Sequence, residues 1–271
     1  MRTLTPPAGS GAPGAPPIDP RIRQRRIAVT RHQGRRRLRV LVGALTVGVA
    51  IAGAVLVLHL SWFRVSHIQV RGAARSGAAR VDAAAGVALH QPLLSVDTAL
   101  VARRVERLPW VATVRVTKSW PSTLVVTVDE RAPVAQVADG PRWALVDGAG
   151  RVLAVDSNRA PGLVVLAWGG AVPGTGSELG APARGPLAVA AGLGAFTATG
   201  SSVPAPVVSV STGPGGGVAV DLADGAVVDL GPPTDLTAKL TALATVESEV
   251  DLSGVKSIDL RVPGQPVLTR G

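Results

Sequence analysis

The chain has 271 residues, a formal net charge of +10 and no Cys, which excludes disulfides and thiolate metal sites and leaves any folded domain to be held by its apolar core. Its basic pI of about 11.5 does not argue for a nucleic-acid partner. Residues 1 to 39 hold ten Arg and one Asp, net +9, which leaves +1 for the rest, and this charge adjoins an apolar run, where Arg sets topology and attracts anionic lipid.

Met1 to Pro20 is rich in Pro, Gly and Ala and is expected to be disordered, because it cannot bury enough surface to offset ordering entropy. Its G-x-G-x-x-G spacing at Gly9, Gly11 and Gly14 has Pro13 inside it and no strand before it, so it carries no nucleotide-binding argument. The segment to Arg39 reads as a basic tail. Val40 to Phe63 is then uncharged, with Thr46, His59 and Ser61 as its polar side chains. As a helix it would be ~36 Å long against a hydrocarbon core of about 30 Å. A cleaved signal peptide would have a shorter core and a small-residue cleavage site, and Trp62-Phe63-Arg64-Val65 offers none. The run is read as an uncleaved transmembrane helix.

Nine Arg lie between Arg21 and Arg39, against four (Arg64, Arg71, Arg75 and Arg80) beyond the run. The positive-inside rule therefore predicts a cytoplasmic N-terminus and an extracytoplasmic C-terminal bulk, with Trp62 and Phe63 at the outer interface. Ala44, Gly48 and Ala52 recur at a spacing that lines one helix face, a small-residue stripe that would let another helix approach closely. In a chain rich in Ala and Gly, chance also gives such a stripe.

Beyond Arg64 the pattern becomes that of a folded domain. Ser66, Ile68 and Val70 share one strand face, closed by Arg71-Gly72. Ala78 to Ala85 reads as a helix stopped by Gly86, and Asp97 as the N-cap of a second helix carrying Leu100, Val101, Val105 and Leu108. Two alternating strands follow on either side of Trp120-Pro121-Ser122, the second with Leu124, Val126 and Val128 on one face. The predicted order is strand, helix, helix, strand, strand.

After Ala135 the sequence reads as β-rich. Trp143 to Val146 and Val152 to Val155 flank the turn Asp147-Gly148-Ala149-Gly150, and Gly162 to Trp168 is a further predicted strand before an irregular loop to Gly185. Pro186 to Phe196 is a predicted helix. Val207 to Val210, Val218 to Leu222 and Ala226 to Leu230 are short strands, Asp235 to Val246 is a helix, and Ser257 to Val262 and Val267 to Thr269 close the chain. The fold class is α+β.

The residue inventory argues against catalysis. There is no Tyr, and the four His are scattered at His32, His59, His67 and His90. Ser253-Gly254-Val255-Lys256 fits S-x-x-K, but no S-D-N or K-T-G string accompanies it. No paired-carboxylate site, metal site or cofactor is expected, and no small-molecule substrate.

The runs Leu108-Pro109-Trp110-Val111, Lys118-x-Trp120-Pro121 and Leu124-x-Val126-x-Val128-x-Glu130-Arg131-x-Pro133-Val134-Ala135 resemble the POTRA domain of the bacterial division family FtsQ, called DivIB in some Gram-positive bacteria. The resemblance covers the whole architecture. It implies a disordered basic cytoplasmic tail at 1–39, a transmembrane helix at 40–63, a POTRA domain at 64–133 and a β domain at 134–271, in a single-pass cell-membrane protein of the division septum. It also implies a non-enzymatic role, recruiting septal machinery through FtsB-like and FtsL-like partners. The closing Ile258-Asp259-Leu260-Arg261 resembles the family's final motif. The resemblance makes Ile258, Asp259, Leu260, Arg261 and Val262 the partner-docking segment, with Arg261 as anchor for an acidic partner residue. A strand at a sheet edge would offer free N–H and C=O groups to such a partner. The other reading is that Asp259 and Arg261 merely blunt that edge. The alternative functions are a POTRA-bearing envelope secretion or assembly factor and an anchored cell-wall enzyme.

Overall fold

Apolar residues without a polar face make one long helix, and this helix reaches further than the apolar run does. Helix α1 spans Pro20–Leu58 and takes in the Arg-rich segment as well. Pro20 stands at its first position, where a missing N–H costs nothing, and the Arg, Gln and Leu side chains that follow extend a helix readily. The computed structural model describes residues 20–58, 61–201 and 205–271. The expected disorder of 1–19, the Gly9/Gly11/Gly14 spacing and His59 lie outside the described residues. Within α1, Arg37–Leu56 is a candidate membrane span, 20 residues of mean hydropathy 2.1 with none of it buried. That length is ~30 Å of helix. Ser61–Phe63 is a separate 3-10 turn, so Trp62 and Phe63, read as the end of the span, stand outside α1.

The chain divides into two compact units between Leu60 and Ser61. In the second, the first five elements are β1 (His67–Arg71), α2 (Ala78–Ala85), α3 (Thr98–Val105), β2 (Val111–Ser119) and β3 (Thr123–Glu130). They form a three-stranded sheet in the order β1-β3-β2, with β1 parallel and β2 antiparallel to β3. Helix α2 has the predicted bounds and ends at Gly86, whose φ of 61° is left-handed. The Asp97 carboxylate accepts from the N–H groups of Ala99 and Leu100, both at 3.0 Å. The Leu100 bond, then that of Ala99 and the charges of Arg103 and Lys118, outweigh desolvation and hold the Asp97 pKa below its ordinary value. Leu124, Val126 and Val128 of β3 pack with Val81, Ala85, Leu93, Val101 and Val105, so both helices cover one sheet face.

Gly72 closes β1 at a φ of +79°, and a Cβ there would collide with the backbone carbonyl of Val128. Gly72→Ala is therefore expected to cost about 2–3 kcal/mol, read as a lower urea midpoint at unchanged m-value. Glu130, at the end of β3, accepts from the N–H groups of Ser76 at 2.6 Å and Arg75 at 2.9 Å. Burial acts to raise its pKa, but those N–H groups and the Arg75 charge outweigh it, and the net shift is downward from 4.5. Because the folded pKa is depressed, the carboxylate's contribution is present above about pH 4.5 and is lost as pH falls through the folded value. Glu130→Gln should thus lower stability near neutral pH, and the gap from the parent should narrow at about pH 3.

The C-terminal elements are β4 (Pro133–Asp139), β5 (Arg142–Asp147), β6 (Val152–Asp156), β7 (Val164–Leu166), α4 (Arg184–Ala198), β8 (Val207–Thr212), β9 (Val218–Leu222), β10 (Val227–Gly231), α5 (Leu236–Glu249), β11 (Val255–Asp259) and β12 (Val267–Arg270). Among the described residues they make one nine-stranded sheet in the order β12-β11-β10-β9-β8-β7-β4-β5-β6. Leu187 and Ala190 of α4 pack with Ala135, Val137, Ala144 and Val146, while Leu240 and Leu243 of α5 pack with Val220, Val228, Leu230 and Ile258. Strand β7 is shorter than the predicted Gly162 to Trp168, and β4 has no predicted counterpart.

The two sheets are joined at Arg131, between β3 and β4. Its Nε donates to the Val111 carbonyl at 2.9 Å and its Nη1 to Asp147 at 2.8 Å. Asp147, buried at the end of β5, also accepts from the N–H groups of Ala149 and Arg151.

Candidate partner-binding edge

Helix α5 returns the chain so that β11 lies parallel to β10, pairing Val228 with Ile258 and Asp229 with Asp259. Strand β12 then folds back antiparallel on the outer side of β11, pairing Leu268 with Ile258 and Val267 with Asp259. Ile258 and Asp259, the part of the docking segment within β11, are thus interior to the sheet, residues 260–262 follow the strand, and the edge is β12. Strand β12 pairs with β11 on one side, and on the other no strand of the described residues follows it.

Burial divides the five predicted docking residues. Ile258 and Leu260 are fully buried in the core with α5, and the Leu260 N–H donates to the Asp229 carbonyl at 2.8 Å. Asp259 is half-buried, and Arg261 and Val262 are exposed. Ile258 and Asp259 fall on opposite faces of β11, as alternation requires, while Leu260, Arg261 and Val262 lie beyond the end of the strand.

Arg261 is not a free cation. Its Nη2 lies 2.6 Å from Asp259 Oδ2 and its Nε 3.0 Å from both Asp259 oxygens, and Nε stands 4.0 Å from Asp229 Oδ2. The Arg261 side-chain bond, then the Arg261 N–H, lowers the Asp259 pKa, and Asp259 in turn holds the guanidinium more firmly charged. Asp229 and Asp259 are direct neighbours across β10 and β11, so Arg261 offsets a like-charge pair. The tie is exposed to solvent, so it orients the side chain more than it stabilises the fold. Gly231 makes room for it, since a Cβ there would meet Arg261 Cγ at 2.8 Å.

Sequence reasoning missed β12 as the edge, and missed Val267. Val262 and Val267, at either end of the turn between β11 and β12, are each 59% exposed. Ala44, Gly48 and Ala52 lie in the candidate span with exposed side chains, and a Cβ added at Gly48 would meet nothing within 4 Å. In the S-x-x-K string, Ser253 lies in a turn ahead of β11 and its hydroxyl donates to Asp251 at 2.6 Å. His67 bonds Ser66 through Nδ1 at 2.9 Å. Among the described residues no group of three His, Cys, Asp or Glu could hold a metal.

Residues 63–131 match the POTRA domain of FtsQ type, and residues 135–261 match the C-terminal region of the cell division protein FtsQ/DivIB. A cell division protein FtsQ of Streptomyces collinus is 33% identical over 87% of this chain and 90% of its own length. The chain belongs to the FtsQ/DivIB family of cell division proteins. FtsQ of Mycolicibacterium smegmatis is 40% identical over 42% of the chain and 35% of its own length. For FtsQ of Caulobacter vibrioides the identity is 33% over 46% and 41%. The FtsQ/DivIB match ends at Arg261, and β12 lies beyond it.

Proposed function

We propose that the chain is a non-catalytic scaffold of the division septum whose β12 edge takes up a strand of an FtsB-like protein, itself paired with an FtsL-like one. The N-terminus is cytoplasmic, α1 crosses the cell membrane once, and both folded domains lie outside it. Positive charge on the N-terminal side of the span supports this orientation.

The observation that carries the reading is the outer side of β12, four residues long and without a pairing strand among the described residues, at the end of a nine-stranded sheet. A partner strand laid along it gains main-chain hydrogen bonds, and the exposed Val262 and Val267 offer apolar contact beside them. Arg261 contributes from the open face, where a partner carboxylate would share the guanidinium with Asp259 and Asp229. Ile258 and Leu260 act indirectly, by holding β11 in place beneath the edge.

The test is recovery of the partner with the tagged full-length chain. The double variant Val262→Ser, Val267→Thr, which adds no charge opposite Asp259, should lower recovery severalfold at a nearly unchanged thermal midpoint. Unchanged recovery would remove the edge from the account. Arg261→Glu is the less clean variant, because it sets a third carboxylate beside Asp229 and Asp259. In cells, depletion should block division, and the tagged protein should gather at midcell; normal division with evenly spread protein contradicts the proposal.

A further inference from the structure

The most exposed apolar side chains outside α1 gather in a second place, far in sequence from Val262 and Val267. Trp62 is 78% exposed, Leu89 54%, and Leu94 and Trp120 49% each. These come from three segments that the fold ties together. The Phe63 and Trp120 rings stack edge to face with centroids 5.9 Å apart. Val65 donates its N–H to the Gln91 carbonyl at 2.9 Å and accepts from the His90 N–H at 2.8 Å. Lys118 Nζ donates to the Leu94 carbonyl at 2.8 Å, and Ser66 Oγ meets Ser122 Oγ at 2.8 Å. One end of the POTRA domain therefore presents two Trp and two Leu to solvent.

We infer that this end is a membrane-docking surface that lays the POTRA domain on the outer leaflet of the bilayer, with Leu89, Leu94 and Trp120 entering the headgroup region and Arg64 and Lys118 contacting anionic lipid. The inference rests on the reading of α1 as a membrane anchor. Lipid is favoured over a protein occupant by three observations. Trp62 and Phe63 close the uncharged run in the sequence, so the patch starts where the chain leaves the bilayer. Its composition, Trp and Leu beside basic side chains, is what an interface between hydrocarbon and water selects. The charges on its rim are mainly positive: Arg64 pairs in a backbone bridge with Pro92, and Lys118 spends its ammonium on a backbone carbonyl. Asp97, near enough to Lys118 to feel its charge, is already held by the Ala99 and Leu100 N–H groups.

Docking would do what a single helix cannot. A helix alone sets the height of the domain and leaves it free to tilt, whereas a second contact made by residues 89–94 and 120 fixes which side of the domain faces the membrane. That in turn fixes where the rest of the folded unit points.

Because the chain has no Cys, single spin labels can be placed without background. The full-length chain, labelled at Leu89→Cys or Leu94→Cys, is placed in nanodiscs of phosphatidylethanolamine and phosphatidylglycerol. Collision with oxygen and with a water-soluble nickel chelate is then measured. Leu56→Cys reports the span, and Val227→Cys, on β10, reports an aqueous position. The inference predicts that both patch labels gain oxygen and lose nickel collisions relative to Val227→Cys, and that Arg64→Glu with Lys118→Glu reverses the change. Patch labels that match Val227→Cys while Leu56→Cys reads as hydrocarbon would overturn the docking surface and leave the anchor intact. Patch labels shielded from both reagents would show a second protein chain on the patch, and would also overturn it. A water-exposed Leu56→Cys would overturn the anchor and the inference together.

Discussion

Ile258→Ala is expected to destabilise the C-terminal domain by about 3–4 kcal/mol, measured as a fall in urea midpoint. Ile258 is fully buried, packs in the core that includes Leu240 and Leu243, and sits between Val228 on β10 and Leu268 on β12. Truncation removes three carbons from a site held on two sides by strands, where little can close the gap. The consequence for binding is that β12 loses its underlying support, so a loss of partner capture in this variant would arrive with a loss of stability. Val262→Ser with Val267→Thr should do the opposite, weakening capture while stability stays nearly level. Comparing the two separates a residue that builds the edge from residues that meet the partner.

Arg131→Ala is expected to cost about 3 kcal/mol, because it strips a buried carboxylate of its countercharge and a carbonyl of its donor. The Asp147 side chain is 7% exposed and keeps two backbone donors, whereas the Val111 carbonyl loses Nε at 2.9 Å. Arg131→Ala combined with Asp147→Ala should cost less than the sum of the two single changes, by about 1–3 kcal/mol, if the ion pair is the joint between the sheets. Additive losses would mean that each side chain acts alone. Arg131 belongs to the Glu130-Arg131 run that carried the family resemblance, and its contacts give that run a structural reason. Glu130 ties β3 back to the loop before α2, while Arg131 ties it forward to β5.

Elements set by local chemistry were legible in the sequence. Gly86 ends α2 and Asp97 starts α3 because each decision is made within a few residues. Leu124, Val126 and Val128 face the core because one side of that sheet is covered and the period is two. Strand β4 was not legible for the converse reason: Ala135, Gln136 and Val137 are all buried, so no alternation survives. Gln136 interrupts the apolar run yet is satisfied by the Ala160 and Leu163 carbonyls and the Ala160 N–H, partners more than twenty residues away. The position of β11 inside the sheet was hidden likewise. Whether a strand is an edge depends on which other strands pair with it, and β11 is covered by a four-residue strand whose own sequence, Val267-Leu268-Thr269-Arg270, has little pattern to read. For α1, the apolar run marked the span, while the helix beyond it follows from propensity and continues to Pro20.

The central claim is that the outer side of β12 receives a partner strand, and hydrogen exchange tests it most directly. Backbone amides of the full-length chain are followed with and without the extracytoplasmic segment of an FtsB-like partner. The account predicts that exchange slows across 267–270 and the turn that leads into it, while β6, the edge at the other end of the same sheet, is unchanged. Slowing at β6 or in the POTRA sheet, with 267–270 exchanging as fast as before, would contradict it.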